Sequence, residues 1–496
     1  MNIKEVLNKY VAEDNYDMVY YVSMLYQIYQ DNPSVAKSIL KELKDQRSNL
    51  KLIASENYSS INIQASLGNL LNDKYAEGFP FHRFYAGCDN IDDIESLGCE
   101  LACKLFGCEH AYLQAHSGAD ANLTAYWAIL NHKVQKPMLE ELGEKNVSNL
   151  SREDWDKIRY ACGNQKLLGL NYYSGGHLTH GYRQNVSAQM FDSYSYDVDE
   201  ETGLLNYNKI EELAMKIKPL ILLCGYSAYP RKIDFKRMRQ IADRCNCVLM
   251  CDMAHFSGLV AGKVFTGDYN PIPYCDVVTS TTHKTLRGCR GGLILCKQEY
   301  AESVDKGCPL VLGGQLPNMV AGKVLALTEC LKDDFVVYAH KIVDNAQSLA
   351  KYLMKNGIKL STNGTDNHLM LIDVRPFNLN GRQAEISLRK CGITLNRNAL
   401  PFDTNGAWYT SGLRIGTPAI TTLGMGDSEM KEIADIIYGV LSVTKPALKE
   451  DGSIDKAKVI IEDKYINCYK NKVQNLLNKF VLYKNIYLKD LEELFV

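Results

Sequence analysis

Lys284 stands in TSTTHKTLRGCRGG (279–292), a segment whose residue types are unusual around a lysine. A lysine amine is protonated and inert at neutral pH. It becomes chemically useful when its surroundings lower its pKa or hold it as a Schiff base. Here hydroxyls and a histidine precede it and glycines follow, which lets backbone come close to a bound group. Arg287 and Arg290 are placed to disfavour its charged form. One apolar run earlier, CVLMCDMAH (247–255) ends on Asp252 and His255, and before that PLILLCGYSAY (219–229) ends on Ser227. A carboxylate facing a pyridine nitrogen keeps that nitrogen protonated and makes the ring an electron sink. A lysine Schiff base with an aspartate partner therefore points to pyridoxal phosphate. HSGADAN (116–122) follows the strand-like AYLQA and opens a helix. The hydroxyl and free N–H groups of Ser117 and Gly118 at such a terminus suit a phosphate.

The elements that must hold these groups are readable from apolar patterning. The runs 219–229, 247–255, 275–284 and 291–297 are continuous rather than alternating, and DFKRMRQIADRCN (234–246) is an amphipathic helix between the first two. Continuous apolar strands separated by helices predict a sheet covered on both faces, an α/β architecture. The polar residues sit where these strands end, and the carboxyl ends of parallel strands face the ligand crevice. Ser227, Asp252, His255, His283 and Lys284 are thus expected to converge. Beyond about residue 335 shorter strands such as HLMLIDVR (368–375) alternate with helices such as GRQAEISLRKCG (381–392). The expected organisation is a helical N-terminal arm (1–72), a large α/β domain (73–335) with a helical insertion at about 135–160, and a small α+β domain (336–496). Residues 445–496 of the last are expected to be helical, with a polar kink at KEDGS.

Bulk properties narrow the class. Lys and Arg number 56 against 58 Asp and Glu, a formal charge of -2, so no basic field points to nucleic acid or to a membrane surface. The first residues carry acidic side chains and lack an apolar core, and no run of about 18 apolar residues occurs, so neither a signal peptide nor a spanning helix is expected. A cytoplasmic protein is the expectation. The 16 cysteines show no CxxC pair. They read as small buried hydrophobes rather than disulfides, and no metal site is expected.

The motif TTHKTLRG (281–288) resembles the lysine signature of the serine hydroxymethyltransferases. LIASENYSS (52–60), DKYAEGFPFHRFYAGC (73–88), GGHLTHG (175–181), GYSAY (225–229), DMAH (252–255), TDNHLMLIDV (365–374) and TSGLRIGTPA (410–419) also resemble that family, in its order, across roughly residues 45 to 445. The resemblance implies a fold type I enzyme using pyridoxal phosphate. Its reaction would move the hydroxymethyl carbon of L-serine to tetrahydrofolate, reversibly, giving glycine and 5,10-methylenetetrahydrofolate. It further implies roles. Lys284 would hold the cofactor, Asp252 pair with the ring nitrogen, His177 stack on the ring, and His255, Ser227 and Thr281 contact its edge. Ser117 and Gly118 would bind the phosphate together with Gly313 and Gly314 of a partner subunit. Arg414 would clamp the substrate carboxylate in a bidentate fork, with Ser60 and Tyr85 assisting, the tyrosine reaching across a dimer. Glu77 would handle the proton at the serine hydroxyl, with Tyr75 beside it and His283 and Tyr85 as further candidates; His255 is also counted among the catalytic residues. Tyr172, Gly176, Leu178 and Asn398 would contact folate. A homodimer or dimer of dimers follows from the shared residues. Departures from the family pattern are Ala119 and Asp120 for a serine and a glutamine, Phe84 for a tyrosine, Tyr172 for a leucine, and Gln315 for a proline; they bear on folate affinity rather than reaction type. The competing readings are a folate-independent 3-hydroxy amino acid aldolase and a silent paralogue acting as a binding protein. The GGHL segment and Asn398 argue against the first, the intact Lys284, Glu77 and Arg414 against the second.

Overall fold

A computed structural model describes residues 2–496. The large sheet contains, in chain order, β1 (His110–Tyr112), β2 (Lys166–Leu170), β3 (Asp192–Tyr196), β4 (Ile221–Gly225), β5 (Val248–Asp252), β6 (Val277–Thr281) and β7 (Gly292–Cys296). Their spatial order is β1-β7-β6-β5-β4-β2-β3. β7 runs antiparallel to its neighbours β1 and β6, while β6, β5, β4, β2 and β3 pair in parallel. The apolar runs are continuous because both faces are buried. Leu222, Cys224, Leu249, Cys251 and Val278 pack on one side with Phe235, Met238 and Ile241 of the helix Phe235–Cys245. Ile221, Leu223, Val248, Met250 and Val277 pack on the other with Ala121, Ala125 and Ile129 of the helix Gly118–Leu130. Each such fully buried aliphatic side chain contributes about 1.5–3 kcal/mol. The helix Phe235–Cys245 starts where the Asp234 side chain accepts from the Arg237 N–H and stops at Asn246 in the left-handed region.

A second, antiparallel sheet follows: β8 (Lys359–Leu360), β9 (Leu369–Asp373), β10 (Asn396–Asn398) and β11 (Gly412–Gly416), in the order β8-β9-β11-β10. Its core is shared with the helices Asp333–Lys355, Gly381–Lys390 and Asp427–Val443, and also with Leu50 and Leu52. Leu50–Lys51 pairs in parallel with Ile393–Thr394, so the chain just after the N-terminal helices is stitched to the small sheet. Those helices, Ile3–Ala12, Tyr16–Asp31 and Pro33–Ser48, each begin at an asparagine cap (Asn2, Asn15, Asn32) and share a core with the last helix, Leu488–Phe495. The segment expected as an insertion holds the helices Lys136–Glu141 and Arg152–Gly163, the latter burying only Ile158.

The helical expectation for residues 445–496 fails in its first third. Lys445–Leu448 and Ile454–Ile460 form an antiparallel hairpin, and helix begins only at Asp463. IDKAKVI alternates in exposure with period two, and Asp451–Gly452, with Gly452 at φ +81°, makes the turn read from sequence as a kink. All 16 cysteines are free. Spacing concealed that the sulphurs of Cys224, Cys251 and Cys275 lie within 4.8 Å of one another in the core. Among the described residues no helix is long and apolar enough to cross a membrane.

Gly225 closes β4 at φ +113°, and a Cβ there would lie 2.0 Å from the Asp252 carbonyl oxygen. Gly225→Ala is therefore expected to lower the urea midpoint far more than Gly313→Ala. At Gly313 φ is +68° with nothing within 4 Å of an added Cβ, so only the left-handed backbone cost of about 1–2 kcal/mol applies. Equal midpoints would contradict this packing.

Candidate active site

A cavity of about 370 Å³ lies at the carboxyl ends of β4, β5 and β6. Lys284, Asp252, His255, His283, Thr281, Ser227, His177, Ser117, Gly118 and Arg414 line it, joined by Ser55, Glu56 and Arg290. Ten of the residues singled out in the sequence thus meet in one place, from both sheets and from loops far apart in the chain.

Asp252 is the most constrained of them. Its Oδ2 accepts from Asn122 Nδ2 (2.9 Å) and His180 Nε2 (3.1 Å), and its Oδ1 from the Ala254 N–H (3.0 Å). Burial disfavours the charge, but the His180 hydrogen bond and the nearby Lys284 charge prevail and hold the carboxyl well below the usual carboxylate range. His180 Nδ1 in turn accepts from the His177 N–H (3.2 Å), which leaves Nε2 as the donor to Asp252. Asn122 is itself oriented: Nδ2 also donates to Thr179 Oγ1 (2.8 Å), and Oδ1 accepts from Thr279 Oγ1 (2.5 Å). Thr179 Oγ1 in turn lies 2.8 Å from His177 Nδ1. Asn122 and His180 were missed as site residues. The signal available was their place in the HSGADAN and GGHLTHG segments, whose neighbours were already picked.

Lys284 is enclosed by protein but open to the cavity. Burial pushes its amine down to about 8; Asp252 opposes this, while Arg414 and Arg290 add to it. The sequence reading gave that effect to Arg287 and Arg290. Arg287 instead sits over the Tyr338 ring, 4.5 Å from its centroid, and Arg414 takes its place from the other sheet. Burial also lowers His177 to about 4 and His283 to about 3, so both are neutral at pH 7. The His283 Nδ1 is buried without a partner. Arg414, on β11, donates through Nη1 to Ser227 O (2.8 Å) and Oγ (3.0 Å) and through Nε to Asn396 Oδ1 (3.2 Å). Nη2 has no protein partner among the described residues, which leaves it for a ligand carboxylate.

At the third wall the helix Gly118–Leu130 presents its N-terminus. The Ser117 hydroxyl caps it, accepting from the Asp120 N–H (3.1 Å) and donating to Asp120 Oδ2 (2.8 Å), which leaves the Gly118 and Ala119 N–H groups free. A Cβ on Gly118 would lie 2.6 Å from Thr281 Cγ2, so the cradle stays open only with glycine. Beneath it the fully buried Lys323 ammonium donates to the carbonyls of Leu113 (2.5 Å), Ala115 (2.7 Å) and Gly292 (3.0 Å), tying β1 and β7 together just before the helix starts.

Other expected residues lie elsewhere. Tyr75, Glu77, Tyr85, Gly313 and Gly314 do not line the cavity. They form a group of their own. Tyr85 Oη donates to Glu77 Oε2 (3.4 Å), the Tyr75 and Tyr85 rings meet edge to face at 5.0 Å, and a Cβ on Gly314 would lie 3.7 Å from Tyr75 and 3.8 Å from Glu77. Ser60 also misses the cavity: it caps the helix Ile61–Ala65 and donates to Glu329 Oε1, and Ser55, five residues earlier, lines the cavity instead. The four expected folate residues lie outside the lining. Gly176 is packed so that a Cβ would sit 2.0 Å from Leu170 O, Leu178 is exposed beside His177, Asn398 donates to Ala399 O, and Tyr172 packs on Tyr173 and Tyr182.

The sequence model of the family described as Serine hydroxymethyltransferase matches residues 28–142 and 160–437. The chain belongs to that family. It is 57% identical over 468 residues to the serine hydroxymethyltransferase of Treponema pallidum, covering 94% of this chain and 82% of that one. It is 52% identical to those of Cutibacterium acnes (94% and 96% covered) and Salinispora tropica (96% and 99% covered). Membership makes it a pyridoxal-phosphate-dependent transferase of fold type I that interconverts serine and glycine with tetrahydrofolate as co-substrate. Residues 143–159, between the two matched stretches, fall within the segment expected as an insertion.

The residues present fit pyridoxal phosphate. A cavity-facing amine of lowered basicity, a fully bonded carboxylate opposite it and a helix terminus with free N–H groups are the donor set that an aldehyde, a pyridinium and a phosphate require. Borohydride reduction and peptide mapping are expected to place the pyridoxyl group on Lys284; label on Lys263 or Lys323 would overturn the assignment. Only the neutral amine attacks an aldehyde, so cofactor uptake by the apoenzyme should rise with pH and reach half its maximum near pH 8, not above pH 10 as for an ordinary lysine.

Proposed function

We propose that this chain transfers the hydroxymethyl carbon of L-serine to tetrahydrofolate at Lys284, in a site that a second copy of the chain completes. The observation that carries the reading is the convergence of the Lys284 amine, the Asp252 carboxylate and the Arg414 guanidinium on one cavity. When bound, pyridoxal phosphate supplies an electron sink for the pair left on the serine α-carbon as the hydroxymethyl carbon departs. Asp252, which stays ionised, would hold a proton on the cofactor's ring nitrogen. Arg414, whose position is set by Ser227 and Asn396, offers Nη2 to the serine carboxylate, with Ser55 beside it. His177 is neutral and held by Thr179, which fixes its ring at the cavity wall. Glu77 takes the proton of the serine hydroxyl, and Tyr172, Gly176, Leu178 and Asn398 receive the folate that accepts the carbon.

Glu77 must come from elsewhere to do this. Tyr75 (60% exposed), Phe81 (71%), Phe84 (72%) and Tyr85 (46%) surround it as an exposed aromatic surface of a kind that marks an interface rather than solvent. A homodimer in which each Glu77 group enters the partner's Lys284 cavity covers this surface and completes both sites. The 16 free cysteines fit a reducing, cytoplasmic setting.

Arg414→Lys keeps the charge but loses the Nη2 donor together with the Ser227 and Asn396 bonds that place it. Serine affinity should collapse while the cofactor's absorbance persists; unchanged serine affinity would refute the role. Glu77→Gln should bind cofactor and serine but lose at least about 100-fold in single-turnover transfer to tetrahydrofolate. Turnover within threefold of wild type would remove Glu77 from the mechanism. Mixing Glu77→Gln with Lys284→Ala subunits should restore one working site per hybrid dimer. A hybrid as inactive as its parents would place both groups in one subunit's site.

A further inference from the structure

His255 and His368 form a buried pair behind the cavity. Their rings lie nearly parallel (21°) at 5.5 Å, with His255 Nδ1 3.2 Å from His368 Nε2. Burial, reinforced by the nearby Arg414 and Lys284 charges, keeps both rings neutral, with His368 lowered to about 3. A neutral pair bonded through these atoms shares one proton between them, and two arrangements are available. If His255 donates through Nδ1, the proton of His368 must sit on its own Nδ1, which is buried without any partner. If His368 donates through Nε2, its Nδ1 is a bare lone pair and the proton of His255 moves to Nε2. An orphaned buried N–H is the rarer fault, and the second arrangement avoids it.

We infer that His368 is a positioning residue that fixes His255 as the Nε2–H tautomer, so that His255 presents a donor, not an acceptor, to the ring oxygen of the bound cofactor. His255 lines the cavity, and with Nδ1 taken by His368 its Nε2 is the nitrogen left to face the ligand. The backbone holds His368 to this task. Its carbonyl accepts from the Thr417 N–H (3.0 Å), and Asn367 beside it donates to Tyr226 Oη and Tyr229 O (3.0 Å each). His255 is held in turn by Thr285 Oγ1, which donates to its carbonyl (2.9 Å). His368 came up in the sequence only as part of the TDNHLMLIDV motif, with no role attached.

The inference rests on pyridoxal phosphate binding at Lys284, and the test separates the two. Cofactor dissociation constants and the absorption spectrum of the bound cofactor are measured on refilled apoprotein for wild type, His368→Gln, His368→Leu, His255→Leu and the double variant. His368→Gln keeps a donor at the Nε2 position and should bind within threefold of wild type with the same spectrum. His368→Leu should bind at least tenfold more weakly with a shifted absorption maximum. In the His255→Leu background the same change should alter affinity less than twofold. If His368→Leu does not fold, His368→Asn, whose shorter amide does not reach His255, carries the same expected loss. A loss that persists undiminished without His255, or glutamine as poor as leucine, overturns the inference. A wild type that does not hold the cofactor on Lys284 overturns the reading of the site beneath it.

Discussion

An ionised carboxylate buried at the end of a strand is costly, several kcal/mol if left unpaired, and Asp252 is such a group. The fold meets that cost with donors from three separate elements: Asn122 from the helix after β1, His180 from the loop after β2, and the Ala254 N–H just beyond β5. Both side-chain donors are oriented by further bonds. Thr279 on β6 and Thr179 hold Asn122, and the His177 N–H fixes the His180 tautomer. The charge at Asp252 therefore dictates the relative placement of β5, β6, the helix Gly118–Leu130 and the GGHLTHG loop. His177 reaches its place because the network that serves Asp252 runs through the same loop.

Enclosure of the cavity needs the second sheet. Arg414 projects from β11, yet two of its three bonds to protein go to Ser227 at the end of β4, so the guanidinium also joins the two sheets. Arg414 and Lys284 share one cavity, and Arg414 adds to the lowering of the Lys284 amine; burial brings Arg414 itself to about 10, with Tyr172 acting the other way. A site that gathers such repulsion is one arranged to receive anionic groups, and a carboxylate and a phosphate are what its donors suit.

The Glu77 group shows the opposite economy: rigid backbone under exposed side chains. Arg83 is buried and donates to Asp92 (2.8 Å), Glu95 (2.7 Å) and the carbonyls of Ala76 (3.0 Å) and Gly78 (2.9 Å), while Gln315 donates to Ala76 O (3.1 Å). The loop carrying Tyr75, Glu77 and Tyr85 is thus held from below and presented outward. Gln315, a departure from the family's proline, is one of the holding groups.

Strand runs and strand ends were readable from residues 219 to 297, because a sheet buried on both faces leaves unbroken apolar runs whose first polar residues mark the ligand crevice. Ser227, Asp252, His255, His283 and Lys284 follow from that rule alone. His177 and Arg414 came only from the family resemblance, since a loop histidine and an arginine on a distant strand carry no local mark. Tertiary structure decided the rest. Whether Ser55 or Ser60 faces the cavity depends on which one caps a helix. Whether Arg287 or Arg414 acts on Lys284 depends on a left-handed turn at Arg287 and on how two sheets meet. The three core cysteines, the Asn122–His180 clasp on Asp252 and the separation of Glu77 from Lys284 are likewise invisible along the chain. Local sequence sets the period of burial and the caps, but distance across the fold arises only when separate elements compete for the same interior.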